Sequence, residues 1–138
     1  MKKRSMILLL LITFSFGMTS CNGLFDFGED SLIIRLQNDT EYSIEDVIVL
    51  FPDEQEVEYG DLAPADTSEY KIVSKAYRYA YVEGKIGGAS AVVQPIDYVG
   101  ESLLEPGSYT YQLYVAGADT SARGDTTHYY MDINLQED

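Results

Sequence analysis

Residues 128 to 136 have the sequence HYYMDINLQ, and their pattern decides the class of the fold. Aromatic or apolar side chains occupy every second position of this stretch: Tyr129, Met131, Ile133 and Leu135. Successive side chains of a β-strand point to opposite sides, so a period of two predicts a strand with one face in the core. We therefore expect that set to point inward and the alternate set to point outward: Tyr130, Asp132, Asn134 and Gln136.

The same period of two continues back along the chain to Ser31, and no segment keeps a helical period of 3.6 over two turns. Turn-forming residues separate the alternating segments at intervals of roughly 8 to 12 residues, which is typical of a β-sandwich. We predict seven or eight strands, over residues 32–37, 44–51, 54–59, 67–73, 76–86, 90–94, 108–115 and 128–136. The chain is therefore predicted to be all-β, with little helix.

Two of these predicted strands differ in how their faces are composed. Residues 44–51 (IEDVIVLF) are apolar on both faces after Asp46, which predicts a central strand that is covered on both sides. Residues 54–59 carry glutamates at alternate positions, and edge strands use such charge to discourage unwanted pairing. We therefore place the first strand inside the sheet and the second at an edge.

The run Leu104-x-Pro106-Gly107-x-Tyr109 resembles the turn-and-tyrosine element that begins a late strand in immunoglobulin-like and transthyretin-like sandwiches. In those families the tyrosine ring lies over the Pro-Gly turn, and the spacing here fits the transthyretin-like version better. The resemblance implies an immunoglobulin-like or transthyretin-like β-sandwich of seven to eight strands, which follows an N-terminal lipoprotein signal peptide.

The first 21 residues contain the parts of an export signal. Three basic residues (Lys2, Lys3 and Arg4) precede an apolar run from Met6 to Gly17, and this run is shorter than the stretch of about 20 residues that spans a bilayer. The segment Met18-Thr19-Ser20-Cys21 resembles the lipobox of lipoproteins that are cut by the type II signal peptidase. The alternative is an ordinary secretory signal, with Cys21 as an incidental thiol.

The lipobox resemblance implies that Cys21 becomes the mature N-terminus and carries a diacylglyceryl group on its sulfur. Two or three acyl chains hold a protein stably on a membrane, so the membrane is the expected partner. We predict a signal peptide over residues 1–20, a lipidated tether over 21–30 and a β-sandwich domain over 31–138. The tether contains apolar residues, Leu24, Phe25 and Phe27, which are expected either to dock on the domain or to add an edge strand.

The chain resembles small lipoproteins of Bacteroidetes-like bacteria, which implies an outer-membrane lipoprotein of the cell envelope. Asp26, Glu29 and Asp30 resemble the acidic positions that, in some bacteria with two membranes, follow the lipidated cysteine and route the protein to the outer face. The periplasmic face and the surface face both stay open.

The part of the chain that follows residue 20 is strongly acidic. It contains six Lys and Arg residues against 23 Asp and Glu residues, which gives a formal charge of −17. Proteins that bind nucleic acid need a basic footprint, so this balance argues against a nucleic-acid partner. Cations, basic proteins and neutral ligands such as glycans remain open, and so does the simpler interpretation that the charge serves solubility.

The residues that usually carry catalysis are scarce. His128 is the only histidine and has no serine or acid partner that its spacing identifies, and the only cysteine is expected to carry lipid. We therefore expect no enzyme, no cofactor and no Cys/His metal site. Carboxylates that stand close in sequence, such as Asp39 with Glu41 and Asp61 with Asp66, leave calcium binding by acidic loops as an open alternative.

The aromatic residues are twelve tyrosines and five phenylalanines, without tryptophan. Tyr109 and Tyr111 alternate with polar residues in a predicted strand, so we expect them in the core. Tyr77, Tyr79 and Tyr81 share one face of another predicted strand. They are expected either to pack in the core, which the exposed position of Arg78 on the opposite face favours, or to form an outward platform for a sugar or peptide.

The predicted loop over residues 116–127 contains Arg123-Gly124-Asp125, which resembles the tripeptide that integrin receptors of animal cells recognise. The simpler interpretation is that Gly124 and Asp125 only turn the chain.

From these observations together we expect a lipid-anchored, non-enzymatic binding or accessory module, whose protein or glycan ligand is unknown. The alternative is a structural or adhesive surface component, either fimbria-associated or host-cell-binding.

Overall fold

A computed structural model describes residues 28–138 as an all-β fold. The eight strands are β1 (Leu32–Asn38), β2 (Ile44–Phe51), β3 (Gln55–Leu62), β4 (Lys71–Val73), β5 (Tyr81–Ile86), β6 (Ala89–Val93), β7 (Gly107–Thr120) and β8 (Thr127–Glu137). The predicted signal peptide, Cys21 and the apolar tether residues Leu24, Phe25 and Phe27 lie outside the described residues. Within residues 28–138 no helix has the length and apolar character needed to cross a membrane.

The strands form one mixed sheet in the order β3-β2-β5-β6-β8-β7-β1-β4. The β1–β7 and β6–β8 pairs are parallel, and the other pairs are antiparallel. The β6–β8 pair, which extends over three residues, joins one half of the sheet (β3, β2, β5 and β6) to the other half (β8, β7, β1 and β4). Residues of both halves share one core, in which the rings of Phe51 and Tyr111 lie 6.3 Å apart. The predicted all-β sandwich of seven to eight strands is therefore confirmed.

Side-chain hydrogen bonds connect β3 with β1 and β4 across the side where the sheet does not close. The Tyr59 hydroxyl in β3 donates to the Ile34 carbonyl in β1 at 3.0 Å. The Gln55 side-chain oxygen accepts hydrogen bonds from the backbone N–H and the hydroxyl of Ser74, just after β4. The glutamate-rich segment is an edge strand, β3, as predicted, and its neighbours across the opening are held by side chains instead of a strand ladder.

The inward and outward faces of β8 are those predicted from its alternation. Met131 is buried, and Tyr129, Ile133 and Leu135 are half-buried against the core. The alternate residues are exposed: Tyr130, Asp132, Asn134 and Gln136. In β7, Tyr109, Tyr111 and Leu113 are buried, which also confirms the prediction for the two tyrosines.

The prediction that β2 is covered on both sides is wrong. Leu50 is 42% exposed, because β2 lies next to the edge strand β3 and no further layer covers its outer face. A bulge interrupts the strand at Asp46, whose φ is 52°, and the Asp46 N–H bonds to the Asp61 carboxylate at 2.9 Å. The bulge also explains why the apolar residues before and after it do not follow one alternation.

The turn-and-tyrosine element has the geometry that the resemblance implied. The Tyr109 hydroxyl donates to the Glu105 carbonyl at 3.1 Å, so the ring folds back over the turn. A Cβ atom placed on Gly107 would lie 3.4 Å from the ring, which shows how closely the two residues approach. This contact holds the loop that precedes β7 against the strand.

Several predicted boundaries differ from those observed. The predicted strand 67–73 is ordered as a strand only over β4, with one isolated bridge between Thr67 and Gln37. Half of the predicted loop over 116–127 is strand, because β7 continues to Thr120 and leaves only residues 121–126 as a turn. In both cases the hydrogen-bonded partner strand determines where the strand ends. That partner cannot be identified from a local sequence pattern.

Candidate functional site: a tyrosine-lined cleft

A cleft of about 390 Å³ opens where β2 and β6 end and β5 begins. We call it the tyrosine cleft, and it is lined by Leu50, Phe51, Pro52, Tyr77, Tyr79, Ala80, Tyr81, Gln94, Pro95 and Tyr98. Leu50 and Tyr81 are direct partners in the β2–β5 ladder, so the sheet itself positions one wall. The segments that enter β5 and leave β6 supply the other wall.

Three tyrosine rings are packed together in this second wall. The Tyr98 ring lies 5.1 Å from the ring of Tyr77 and 5.4 Å from the ring of Tyr79, with interplanar angles of 32° and 26°. Such offset arrangements of aromatic rings contribute about 0.5 to 1.5 kcal/mol per pair beyond burial. The cluster therefore presents a fixed aromatic surface to solvent.

Hydrogen bonds attach both segments of this wall to the fold. The hydroxyl of the buried Tyr111 donates to the Tyr77 carbonyl, and the Leu104 N–H donates to the Ala76 carbonyl at 2.8 Å. The Tyr79 hydroxyl donates to the Asp97 carbonyl at 2.7 Å, which joins the segment before β5 to the loop after β6. The rings are consequently positioned by the core below them and by the loop beside them.

The expectation favoured above, that Tyr77, Tyr79 and Tyr81 pack in the core, is wrong. Their side chains are half-exposed, whereas Ala76 and Ala80 are buried. The predicted strand 76–86 begins only at Tyr81, so the residues before it follow an irregular path. The small Ala76 and Ala80 side chains point into the core along this path, while the tyrosine rings lie at the surface.

A second depression, of about 410 Å³, adjoins the tyrosine cleft and shares Tyr79, Gln94 and Pro95 with it. We call it the acidic depression, and its remaining lining is Val93, Ile96, Asp97, Ala116, Met131 and Asp132. The loop between β6 and β7 also displays Ile96, Val99 and Leu103, which are 100%, 88% and 44% exposed. Exposed apolar patches with a polar rim are typical of binding surfaces.

The charges around the cleft are negative. The Tyr81 hydroxyl donates to the Glu83 carboxylate at 3.0 Å. Burial, followed by the nearby Glu83 carboxylate, raises the pKa of Tyr81, and burial, followed by the charge of Glu101, raises the pKa of Tyr79. Both phenols therefore keep their protons at neutral pH and act as hydrogen-bond donors. The described lining of the two depressions contains no Lys, Arg or His.

His128 has neighbours that its sequence spacing did not reveal. It is paired with Ser90 of β6 on one side and with Asp119 of β7 on the other, and all three residues are exposed. Among residues 28–138 no side-chain hydrogen bond joins His128 to either neighbour. The three residues therefore form a row on the outer face of the sheet, without the connected hydrogen bonds by which a histidine activates a serine.

The carboxylates that stand close in sequence do not assemble into a cation site in the described part of the chain. No three Asp, Glu, His or Cys side chains of residues 28–138 converge in a way that would hold a metal ion. Asp46 instead pairs with Lys85 at 2.9 Å, and Asp53 pairs with Lys75 at 2.7 Å.

Arg123, Gly124 and Asp125 lie at the tip of the β7–β8 hairpin, and all three are exposed. Gly124 has a φ of 71°, and its N–H donates to the Ser121 carbonyl at 2.7 Å. The Ser121 hydroxyl donates to the Asp125 carboxylate at 2.6 Å. Gly124 and Asp125 thus form the turn, as the simpler interpretation requires. The tripeptide is also exposed to solvent.

No protein-family model matches the chain, and no curated protein matches it. Among solved structures, the chain is similar to an NMR structure of a protein from Eubacterium rectale, with 14% sequence identity. The similarity covers 76% of this chain and 91% of that chain, with a TM-score of 0.47. A likeness of this degree carries no functional implication.

Sequence reasoning identified three of the four cleft tyrosines and missed Tyr98 and Leu50. Tyr98 follows Pro95 in a segment without alternation, so no periodic signal marked it. Leu50 belongs to an apolar run and was assigned to a covered face. The one available signal was the density of apolar residues in the loop over 94–106, which is unusual for a solvent-exposed connection.

Proposed function

We propose that the protein is a lipid-anchored lipoprotein of the outer membrane that acts as a non-enzymatic binding or accessory module, and that its ligand occupies the tyrosine cleft. The observation that carries the proposal is the packing of Tyr77, Tyr79 and Tyr98 into one half-exposed aromatic wall. Ligand sites are typically concave and mostly apolar, with a few polar groups that fix orientation. Gln94 and the hydroxyls of Tyr77 and Tyr98 supply such groups here, since the hydroxyls of Tyr79 and Tyr81 already donate to Asp97 and Glu83.

The anchor in this proposal is Cys21, and its support is the lipobox-like segment Met18-Thr19-Ser20-Cys21. Mass spectrometry of the mature N-terminal peptide is expected to show acyl mass on Cys21. The variant Cys21→Ser is expected to move the protein from the membrane fraction to the soluble fraction. An unmodified Cys21 would contradict the lipid anchor but would not affect the proposal that the cleft binds a ligand.

The cleft is tested by placing a photoreactive benzophenone side chain at position 98 in living cells. The matched control carries the same group at position 130, since Tyr130 is also exposed but lies outside the cleft. Specific adducts from position 98, absent from position 130, are expected. Equal labelling at both positions, or none at either, would remove the support for a ligand in the cleft.

The second candidate is an adhesive surface component, and the observation that favours it is the exposed Arg123-Gly124-Asp125 at a hairpin tip. Binding residues are commonly displayed on loops that a rigid scaffold positions. β7 extends fourteen residues from Gly107 to Thr120, so the tip stands on the order of 45 Å from the start of the strand at about 3.3 Å per residue.

A further inference from the structure

We propose that the tyrosine cleft and the acidic depression together recognise a positively charged peptide segment, with its Lys or Arg side chains seated between the tyrosine rings and the rim carboxylates. This inference rests on the proposed function, because it names the class of ligand for the same site. Its basis is the combination of an aromatic wall, a negative rim and a lining free of basic groups within the described residues.

The two depressions lie side by side, because Tyr79, Gln94 and Pro95 line both of them. A compact ligand would fill one of them, whereas an extended chain would follow both. Leu50 in the tyrosine cleft and Ile96 in the acidic depression offer apolar contacts to such a chain. The shape therefore suits a peptide that places successive side chains in neighbouring depressions.

Aromatic faces attract cations because the ring quadrupole is negative above the plane. The half-exposed rings of Tyr77 and Tyr79 flank Tyr98 and supply such faces. The Glu83 carboxylate accepts a hydrogen bond from Tyr81, which lines the tyrosine cleft, and Asp97 and Asp132 line the acidic depression. A cation seated there would meet aromatic faces and negative charge together, and this pairing favours a charged peptide over a neutral glycan.

The basic residues nearest in sequence are not part of this surface. Lys75 is paired with Asp53 at 2.7 Å, and Arg78 is exposed but is not part of the lining of either depression. The negative potential of the rim is therefore available to a partner. The formal charge of −17 after residue 20 adds a long-range attraction that steers a basic ligand toward the protein.

The probe is a short capped peptide that alternates lysine with valine and serine, titrated into the purified full chain in neutral detergent. Two peptides of the same sequence, with every lysine replaced by glutamine or by glutamate, serve as controls. Isothermal calorimetry and the NMR signals of the tyrosine rings report binding. The lysine peptide is expected to bind, the glutamine peptide more weakly by about tenfold, and the glutamate peptide not at all.

Two pairs of variants separate the site from general attraction. Tyr98→Ala is expected to weaken binding by about fivefold to thirtyfold, whereas Tyr130→Ala leaves it unchanged. The double variant Glu83→Gln/Glu101→Gln is expected to weaken binding, whereas Glu56→Gln/Glu58→Gln, with the same change of charge on the β3 edge, has little effect. If both double variants lose the same amount of binding affinity, the peptide is attracted by the overall negative charge of the protein, and the inference is overturned.

The remaining outcomes distinguish this inference from the proposed function. Equal binding of the lysine and glutamine peptides overturns the cationic ligand. If the lysine peptide does not bind, the inference fails, and a neutral oligosaccharide that binds in a Tyr98-dependent manner would then leave the proposed function standing. Failure of both kinds of probe, together with no photoadduct at position 98, would remove the cleft as a binding site.

Discussion

The hydroxyl of Tyr111 donates a hydrogen bond to the backbone carbonyl of Tyr77, which connects the centre of the core to the wall of the surface cleft. Tyr111 is completely buried, and burial raises the pKa of its hydroxyl, so the group stays protonated and available as a donor. Tyr77 precedes β5 in an irregular segment, where no strand ladder holds its carbonyl. The position of the cleft tyrosines therefore depends on the core.

Tyr111→Phe is expected to destabilise the fold by about 1 kcal/mol, because it keeps the ring but removes this hydrogen bond. The ring signals of Tyr77 and Tyr98 are expected to change in NMR spectra at the same time. Urea denaturation measures the first effect. Tyr114→Phe is the control, since the Tyr114 hydroxyl bonds Asp132 at the surface, and it is expected to change stability by less than about 0.5 kcal/mol.

Gly84→Ala is expected to destabilise the protein by about 1 to 3 kcal/mol. A Cβ atom at this position would lie 2.8 Å from the Ile44 side chain and 3.1 Å from the Glu45 carbonyl, where the β2 bulge approaches β5. Thermal unfolding measures the loss. Gly117→Ala is the matched control, because a Cβ there meets nothing within 4 Å, and equal losses would show that close approach is not the cause.

Asn38→Ala is expected to cost about 1 to 3 kcal/mol, since it leaves the buried Leu62 carbonyl without its donor. Asn38 is fully buried, and its NH2 group donates its two hydrogens among the carbonyls of Tyr42, Leu62 and Ala63, while its oxygen accepts from Thr40. Urea denaturation measures the change. The exposed Asn134→Ala should stay within about 0.5 kcal/mol.

Stability is expected to fall at acidic pH partly through Asp138. Partial burial opposes ionisation, but hydrogen bonds from Thr110 and Tyr70 and the charge of Arg35 outweigh it and lower the pKa of Asp138 below the ordinary 3.8. A carboxyl group whose pKa is lower in the folded state than in the unfolded state stabilises the fold at pH values above its unfolded-state pKa. This contribution is lost as the pH falls through the folded-state pKa.

Asp138→Asn is therefore expected to lower stability at neutral pH and to reduce the further loss below about pH 4. Urea midpoints measured from neutral to acidic pH report the difference between the two proteins. Glu56→Gln, on the exposed edge strand, is the charge-matched control. A curve for Asp138→Asn that runs parallel to that of the unaltered protein would contradict this role.

The adhesive candidate predicts that the purified protein supports attachment of integrin-bearing cells and that Asp125→Glu abolishes it. The thermal midpoint is expected to stay unchanged, because Asp125 is exposed and the longer side chain keeps its carboxylate. Arg123→Lys is expected to reduce attachment as well, since it removes the guanidinium. Attachment that persists in both variants would leave the tripeptide with its role in the turn alone.

Features that depend on local alternation were predictable from the sequence. The inward face of β8, the buried tyrosines of β7 and the edge position of β3 all follow from side chains that point alternately to opposite sides of a strand. The turn around Gly107 was also predictable, because its residues lie close together in the chain. The lipidation of Cys21 is likewise inferred from a local motif and stays a prediction.

The sequence by itself determined the all-β class and the faces of the long strands, because these properties depend on the period of a few adjacent residues. Only the tertiary structure decided that Tyr77 and Tyr79 turn outward and meet Tyr98, since their direction is set by buried alanines and by a loop that returns from another strand. It also decided the burial of Asn38 and the pairing of His128 with Ser90 and Asp119. Contacts between residues far apart in the chain depend on how strands order themselves in the sheet, and a local pattern does not contain that order.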